Sequence, residues 1–430
     1  MITSKSFNKY GRPIGIDLFA GAGGLSLGFE QAGFDIVAAV EYDPIHCAVH
    51  EFNFPQTKAI CADVKECDGR SIRKLAGIGD VDVDVVFGGA PCQGFSLIGK
   101  RALDDPRNEL VFHFVRLVRE IRPKYFVFEN VKGLTIGEHK RFLKEIIEEL
   151  EGSGYTVKKD YRVLNAADYG VPQDRHRLFL LGCREGLTLP EYPDHKPGTT
   201  VCDAIGDIPN ADRFPQLLLD DSVRVDFDTV SAYSRRLRCI EDDPFDFGYS
   251  REFDRNVLTS SLRTSHVPKS TARFLATKQG DTEPVSRFFK LDPNGVCNTL
   301  RAGTGSEKGA FTSPRPIHYK YSRVITVREA ARIHSYPDWF RFHKTKWHGF
   351  RQIGNSVPPL LARAVASSII NALGVIPSKP TIILPPSSES LLEFSMSEAA
   401  NYYGVPHTVV GRRQRKENEN DDGNQICVAN

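Results

Sequence analysis

The sequence lacks several signatures, and each absence narrows the field. Nine cysteines are scattered through it, an odd number with no Cys-x-x-Cys pair, so neither a disulfide framework nor a structural zinc site is expected. No His/Cys/Asp/Glu spacing calls for a metal. No apolar run approaches the ~18 residues that cross a bilayer, and the start of the chain lacks the apolar stretch of a secretory signal. No internal repeat is visible. The expectation is a water-soluble cytoplasmic protein whose cysteines stay reduced. With 430 residues, 40% hydrophobic and 26% charged, the chain exceeds what a single core holds, and more than one domain is expected. The net charge of +2 hides an asymmetry: residues 199–262 carry 7 Lys/Arg against 13 Asp/Glu, whereas 263–351 carry 17 against 6. Such a split fits a polyanion meeting one face, or a solvated charged surface.

Strands alternate with helices over 14–183. Strands are read at 14–19, 36–41, 81–87, 125–129 and 177–183, and helices at 25–33, 45–53, 109–121 and 141–151. This alternation predicts a doubly wound parallel sheet. Residues 186–314 break the pattern and read as a separate loop-rich domain. Helical periodicity returns at 327–334 and 359–373. The domain expectation is a first catalytic part at 1–185, a second domain at 186–314, a returning catalytic part at 315–375, and a linker and tail at 376–430. The stretch 417–430 reads as disordered.

Two loops carry the chemistry. Ala20-Gly-Ala-Gly-Gly24 joins the first strand to a helix, and glycines there let a ligand approach the backbone. Glu41 ends the next strand, at the spacing from Gly21 where an acid can hold ribose hydroxyls. Residue 26 is Ser where a dinucleotide fingerprint has its third glycine. A single nucleoside therefore fits at least as well, and a purely structural turn remains open. Gly88-Gly-Ala-Pro-Cys-Gln-Gly-Phe-Ser96 follows the strand ending at Phe87, so Cys92 is expected at the carboxyl edge of the sheet. Glu129 ends another strand and is expected at the same edge, with helix capping as the alternative. Arg175 and Arg177 alternate along an extended segment and should share a face.

Asp17-Leu-Phe-Ala-Gly-Ala-Gly-Gly, Gly89-Ala-Pro-Cys-Gln-Gly-Phe-Ser, Glu129-Asn-Val, Gln173-Asp-Arg-His-Arg, Arg323-Val-Ile-Thr-Val-Arg-Glu and Gly354-Asn-Ser-Val-Pro-Pro occur in that order. Together they resemble the DNA (cytosine-5)-methyltransferase family of prokaryotic type. The resemblance covers 14–183 and about 315–373. It implies a Rossmann-like α/β methyltransferase domain with a smaller target-recognition domain. It implies methyl transfer from S-adenosylmethionine to C5 of a cytosine flipped out of double-stranded DNA, with no metal. The implied nucleophile is Cys92. Glu129 would serve N3, Arg177 O2, and Arg175 would support them. The implied cofactor contacts are Phe19, Gly21, Gly23, Glu41, Asp63, Val64, Pro91, Leu110, Asn355 and Val357. Gln93, Ser96, Arg263, Thr299 and Arg301 are candidate DNA contacts. A restriction–modification set with a partner restriction endonuclease and a solitary genome methylase both stay open, and a monomeric chain is expected. Residues 395–416 are similar to a small helix-turn-helix unit in which Ala399 and Ala400 pack the first helix; a solvated helix is the alternative. The open functional alternatives are a tRNA cytosine-5 methyltransferase, an inert DNA-binding homologue and a nicotinamide oxidoreductase.

Overall fold

The computed structural model describes residues 11–91, 109–137, 139–228, 231–303 and 315–407. Five strands run parallel: β1 (Ile14–Leu18), β2 (Asp35–Glu41), β3 (Lys58–Cys61), β4 (Val85–Gly88) and β5 (Tyr125–Val131). Between them lie α1 (Gly24–Ala32), α2 (Pro44–Asn53), α3 (Gly69–Ala76) and α4 (Glu109–Ile121). After α5 (His139–Glu151) come β6 (Tyr155–Val157), β7 (Arg162–Asn165) and the nine-residue β8 (His176–Arg184), which runs antiparallel to β5, β6 and β7. The strand order is β3-β2-β1-β4-β5-β8-β6, with β7 also on β8.

This order reverses between β1 and β4. A crevice opens there at the strands' carboxyl ends, the place where open α/β sheets take ligands. The two glycine-bearing loops leave the sheet on either side of it: 19–23 after β1 and 89–91 after β4.

The strands are buried on both faces, as a parallel sheet requires. One face packs Ile16, Leu18, Val86, Phe126 and Phe128 against α3, α4 and α5. The other packs Phe87, Tyr125 and Val127 against α1 and α11 (Pro359–Leu373). α11 lies against α1 because Gly28 has no side chain; a Cβ there would come within 2.3 Å of Ala362 Cβ and 2.6 Å of Arg363 N. A helix from the far end of the chain thus completes the first layer.

The strand read at 81–87 forms only over 85–88. Asp82 and Asp84 are engaged elsewhere: Asp84 pairs with Lys124 (2.7 Å) and accepts from Ile14 N (2.8 Å), and Asp82 pairs with Arg184 (2.9 Å). Beyond β8 the described chain has only short elements, α6 (Val201–Ile205), α7 (Ala232–Leu237) and α8 (Pro268–Ala276), then α9 (Val327–Ile333) and α10 (Lys346–Asn355). One apolar cluster joins Val201, Leu291 and Leu300 to Ile325, Phe340 and Ile353, so the 201–300 region and the returning segment share a core. α10 with α11 is the one described stretch with the length and composition of a membrane span. Most of it is buried, and the helix breaks at residues 356–358.

Part of the basic stretch at 263–351 lies inside the fold. Arg323, Arg328 and Arg332 are buried, the first on Glu329 (2.7 Å), the last on Asp207 (3.1 Å) and Asp338 (2.5 Å). Arg328 donates to the carbonyls of Pro337 (3.1 Å) and Phe340 (2.7 Å). Much of this positive charge neutralises interior carboxylates and peptide oxygens.

Candidate active site

The glycine turn begins with Phe19, which adopts φ 64°, a left-handed conformation that a side chain holds only when its surroundings enforce it. Ala20 N bonds Val40 O and Gly23 N bonds Ala20 O, so the turn is clamped to β2. Gly23 (φ 103°) starts α1. A Cβ on Gly21 would meet nothing within 4 Å, so the space above the turn is open. Glu41 binds the turn from below: Oε2 accepts from Gly21 N (2.7 Å) and Oε1 from Asp43 N (2.8 Å). Both oxygens keep a free lone pair, so the carboxylate can still receive two hydroxyls. Beneath the turn, buried Asp17 accepts from Ser26 Oγ (2.6 Å), and burial pushes its carboxyl up to about 8.

Asp63 and Val64 follow β3, whose last residue, Cys61, pairs with Glu41. Arg116 of α4 holds the Val64 carbonyl (2.8 Å), and Lys65 pairs with Glu109 (2.5 Å). Leu110, from the same helix, packs on the neighbouring cluster. Val357 comes to the turn from the other end of the chain: a Cβ on Gly24 would lie 2.4 Å from the Val357 carbonyl oxygen. Asn355 ends α10 and is exposed. One residue escaped the sequence reading. Tyr42 is half exposed and directly follows Glu41 at the sheet edge. Its signal, an aromatic immediately past the acid, was available.

The second loop is tied to β5. Asn130 Nδ2 donates to Ala90 O (2.9 Å), and Pro91 is exposed. Cys92, Gln93 and Ser96 lie outside the described residues. Glu129 is buried, and Arg177 Nε lies 2.9 Å from its Oε1. The register explains the pair: Val131 faces Arg177 across β5 and β8, so Glu129 is its diagonal neighbour on the same face. A Cβ on Gly89 would sit 2.4 Å from Glu129 Oε2. One carboxylate oxygen is therefore paired with Arg177, and the other faces the loop that leads into Cys92. Burial raises the Glu129 pKa above the usual carboxylate range, against the lowering pull of Arg177 and then Arg175.

Arg175 lies near enough to both Arg177 and Glu129 for their charges to act on it. It precedes β8 and is fully buried, donating to the carbonyls of Leu300 (2.8 Å), Gly354 (2.7 Å) and Ser356 (2.8 Å). Its reach toward Glu129 is through its field. It joins three segments at the base of the site. Thr299 Oγ1 donates to Asp174 O (2.7 Å), and Asp174 N to Cys297 O (2.7 Å), so the 297–300 segment is stitched to the strand that carries Arg177. Arg301 follows and is exposed. Arg263 is turned inward, with Nη1 3.6 Å from Asp212 and most of the side chain covered.

A glycine turn held by Glu41 at the switch point, with a buried acid–arginine pair on the neighbouring strands, defines a group-transfer enzyme of the Rossmann-like methyltransferase class. The profile of the C-5 cytosine-specific DNA methylase family matches residues 15–371. The chain belongs to that family and is a DNA (cytosine-5)-methyltransferase. It is 64% identical to the type II methyltransferase M.XorII of Xanthomonas oryzae pv. oryzae over 94% of this chain and 95% of the relative. It is 38% identical to M1.HphI of Haemophilus parahaemolyticus, over 83% and 86%. A crystal structure of a prophage-encoded DNA modification methyltransferase of E. coli matches at 34% identity with a TM-score of 0.70, covering 84% of this chain and all of the other. Family membership removes the nicotinamide oxidoreductase alternative.

Proposed function

We propose that the chain methylates C5 of a cytosine rotated out of a specific double-stranded DNA sequence, through a covalent bond between Cys92 and C6. The supporting observation is the buried Glu129–Arg177 pair, one carboxylate oxygen facing the loop into Cys92.

C5 of cytosine is a poor nucleophile. Addition of the Cys92 thiolate to C6 makes C5 enamine-like and sends electron density toward N3 and O2. Glu129, whose pKa burial raises, bonds or protonates N3, and Arg177 stabilises the charge at O2. Arg175 holds that strand end in place. Loss of the C5 proton to a base, taken as water, and expulsion of the thiolate restore the ring.

S-adenosylmethionine supplies the electrophilic methyl group. The residues present fit it: open space over Gly21, a Glu41 carboxylate with two lone pairs to spare, and the Asp63–Val64 backbone beside them. Phe19, Gly23, Pro91, Leu110, Asn355 and Val357 would border it, and the exposed Tyr42 ring offers a stacking face for the purine. No metal enters this mechanism.

Residues 186–314 would read the target, with Arg301 and Thr299 at the edge of the site, Gln93 and Ser96 beside the nucleophile, and Arg263 demoted by its inward pairing. The relatives' type II designation supports a cytoplasmic role alongside a partner restriction endonuclease. The expected form is a monomer.

Purified wild type and Cys92→Ala, given labelled methyl donor and genomic DNA, test this reading. Label should enter duplex DNA with wild type alone. Transfer to tRNA only, or to nothing, would favour the RNA methylase or the inert homologue.

A further inference from the structure

The tail beyond α11 lies outside the 15–371 family match, yet it is docked. Ile383–Leu384 pairs as a parallel strand with Ser250–Arg251. Leu391 and Leu392, in a 3₁₀ turn at Glu389–Leu392, are buried against Ala22, Ala48, Val49 and Phe52. Ala22 belongs to the glycine turn itself, and the other three belong to α2. The tail also grips the segment before α10: Lys344 N donates to Leu392 O (2.9 Å), His343 Nε2 lies 3.0 Å from Phe394 O, and Arg341 pairs with Glu389 (3.0 Å).

α12 (Met396–Tyr403) follows, opened by a Ser395/Glu398 capping box and closed by Gly404 in the left-handed conformation. Ala399 and Ala400 are buried, and the Tyr402 and Tyr403 hydroxyls each donate to Glu51 at 2.8 Å. Glu51 lies in α2. The N-terminal end of α2 controls Glu41: Asp43 N donates to Glu41 Oε1, and the Cys47 thiol donates to the Glu41 carbonyl (3.3 Å). Contacts therefore run unbroken from α12 through α2 to Glu41 and Gly21, and Ala22 of the turn shares the apolar cluster of Leu391 and Leu392.

We propose that Glu389–Tyr403 is a brace that holds the cofactor pocket in its binding geometry and sets the affinity for the methyl donor. Leu392, Tyr402 and Tyr403 are its positioning residues. The inference rests on the S-adenosylmethionine reading above. The helix at Met396–Tyr403 with buried Ala399 and Ala400 agrees with the first half of the helix-turn-helix expectation, but α12 spends its tyrosine hydroxyls on Glu51 of this chain. The second expected helix, 408–416, lies outside the described residues.

The test compares the full-length chain with Leu392→Ala and with the double variant Tyr402→Phe/Tyr403→Phe, which keeps the apolar packing should Leu392→Ala fail to fold. Calorimetry measures the Kd for S-adenosylmethionine. Steady-state methylation separates KM for the donor from kcat, and anisotropy gives DNA affinity at two salt concentrations. A rise of roughly tenfold in donor Kd and KM is expected for Leu392→Ala, the equivalent of about 1.4 kcal/mol. A smaller rise is expected for the double variant, with kcat at saturating donor and DNA affinity unchanged. A purely structural tail would lower the melting temperature and leave donor Kd as it was, which overturns the brace. Loss of DNA affinity at constant donor Kd would overturn it too and return the tail to DNA binding. If wild type itself takes up no S-adenosylmethionine, the cofactor reading falls first and this inference with it.

Discussion

At the scale of single residues, the site turns on how burial and one ion pair share control of Glu129. A carboxylate touching an arginine ordinarily titrates low. Here burial outweighs Arg177 and Arg175, and the pKa is raised. A raised pKa keeps the protonated, donating form present to higher pH. Activity that needs that form is retained at low pH and falls as pH rises through the Glu129 pKa. Glu129→Gln should lose about 10²- to 10⁴-fold in kcat, the usual contribution of a positioned acid. It should also lose that alkaline limb, while the donor KM stays put. A pH–rate profile of both chains checks this; an unchanged alkaline limb in the variant would assign it to another group. Glu129 was legible because an acid ended an apolar strand. Arg175 was legible as a companion of Arg177, but what it binds was not. Its three carbonyl partners come from segments far away in the chain.

At the scale of elements, the strands and helices of the first layer follow from local pattern, since β1, β2, β5 and β8 are apolar runs bounded by glycine or charge. β3, β6 and β7 span four, three and four residues. They are too short to show a period, and only their neighbours make them strands. The family resemblance implied that the C-terminal segment returns to the first domain, but its seat on α1 depends on one glycine meeting a helix near the other end of the sequence. Gly28→Ala tests that packing. Alanine favours a helix by up to ~1 kcal/mol over glycine, but a methyl 2.3 Å from Ala362 Cβ must push the two helices apart. Overpacking should win, with a net loss of about 1–3 kcal/mol in urea unfolding. A gain in stability would show that the helices slide freely.

At the scale of the whole molecule, the chain closes on itself around the crevice. α11 returns to α1, the 354–357 loop meets the glycine turn, and Arg175 ties that loop to Leu300 and to β8. Removing the Arg175 guanidinium leaves the buried carbonyls of Leu300 and Gly354 without their donor, each costing about 1–3 kcal/mol, while Ser356 O keeps His334 Nε2 at 3.2 Å. Arg175→Ala should therefore lose about 3 kcal/mol or more of stability together with activity. Arg175→Lys should recover only part, because an ammonium cannot span three acceptors. Full recovery by lysine, read by thermal melting and kcat, would reduce Arg175 to a point charge. Charge counting along the sequence left 263–351 as a polyanion-facing surface or a solvated one; three of its arginines, Arg323, Arg328 and Arg332, are spent inside instead. The composition recorded the charges correctly, but only the fold assigns them to the interior.

Bisulfite sequencing of DNA from cells expressing wild type and, in parallel, Cys92→Ala tests the central claim most directly. The account predicts methylcytosine at one short recurring sequence with wild type and none with the variant. Methylation that survives Cys92→Ala would contradict the covalent mechanism and the roles derived from it for Glu129 and Arg177.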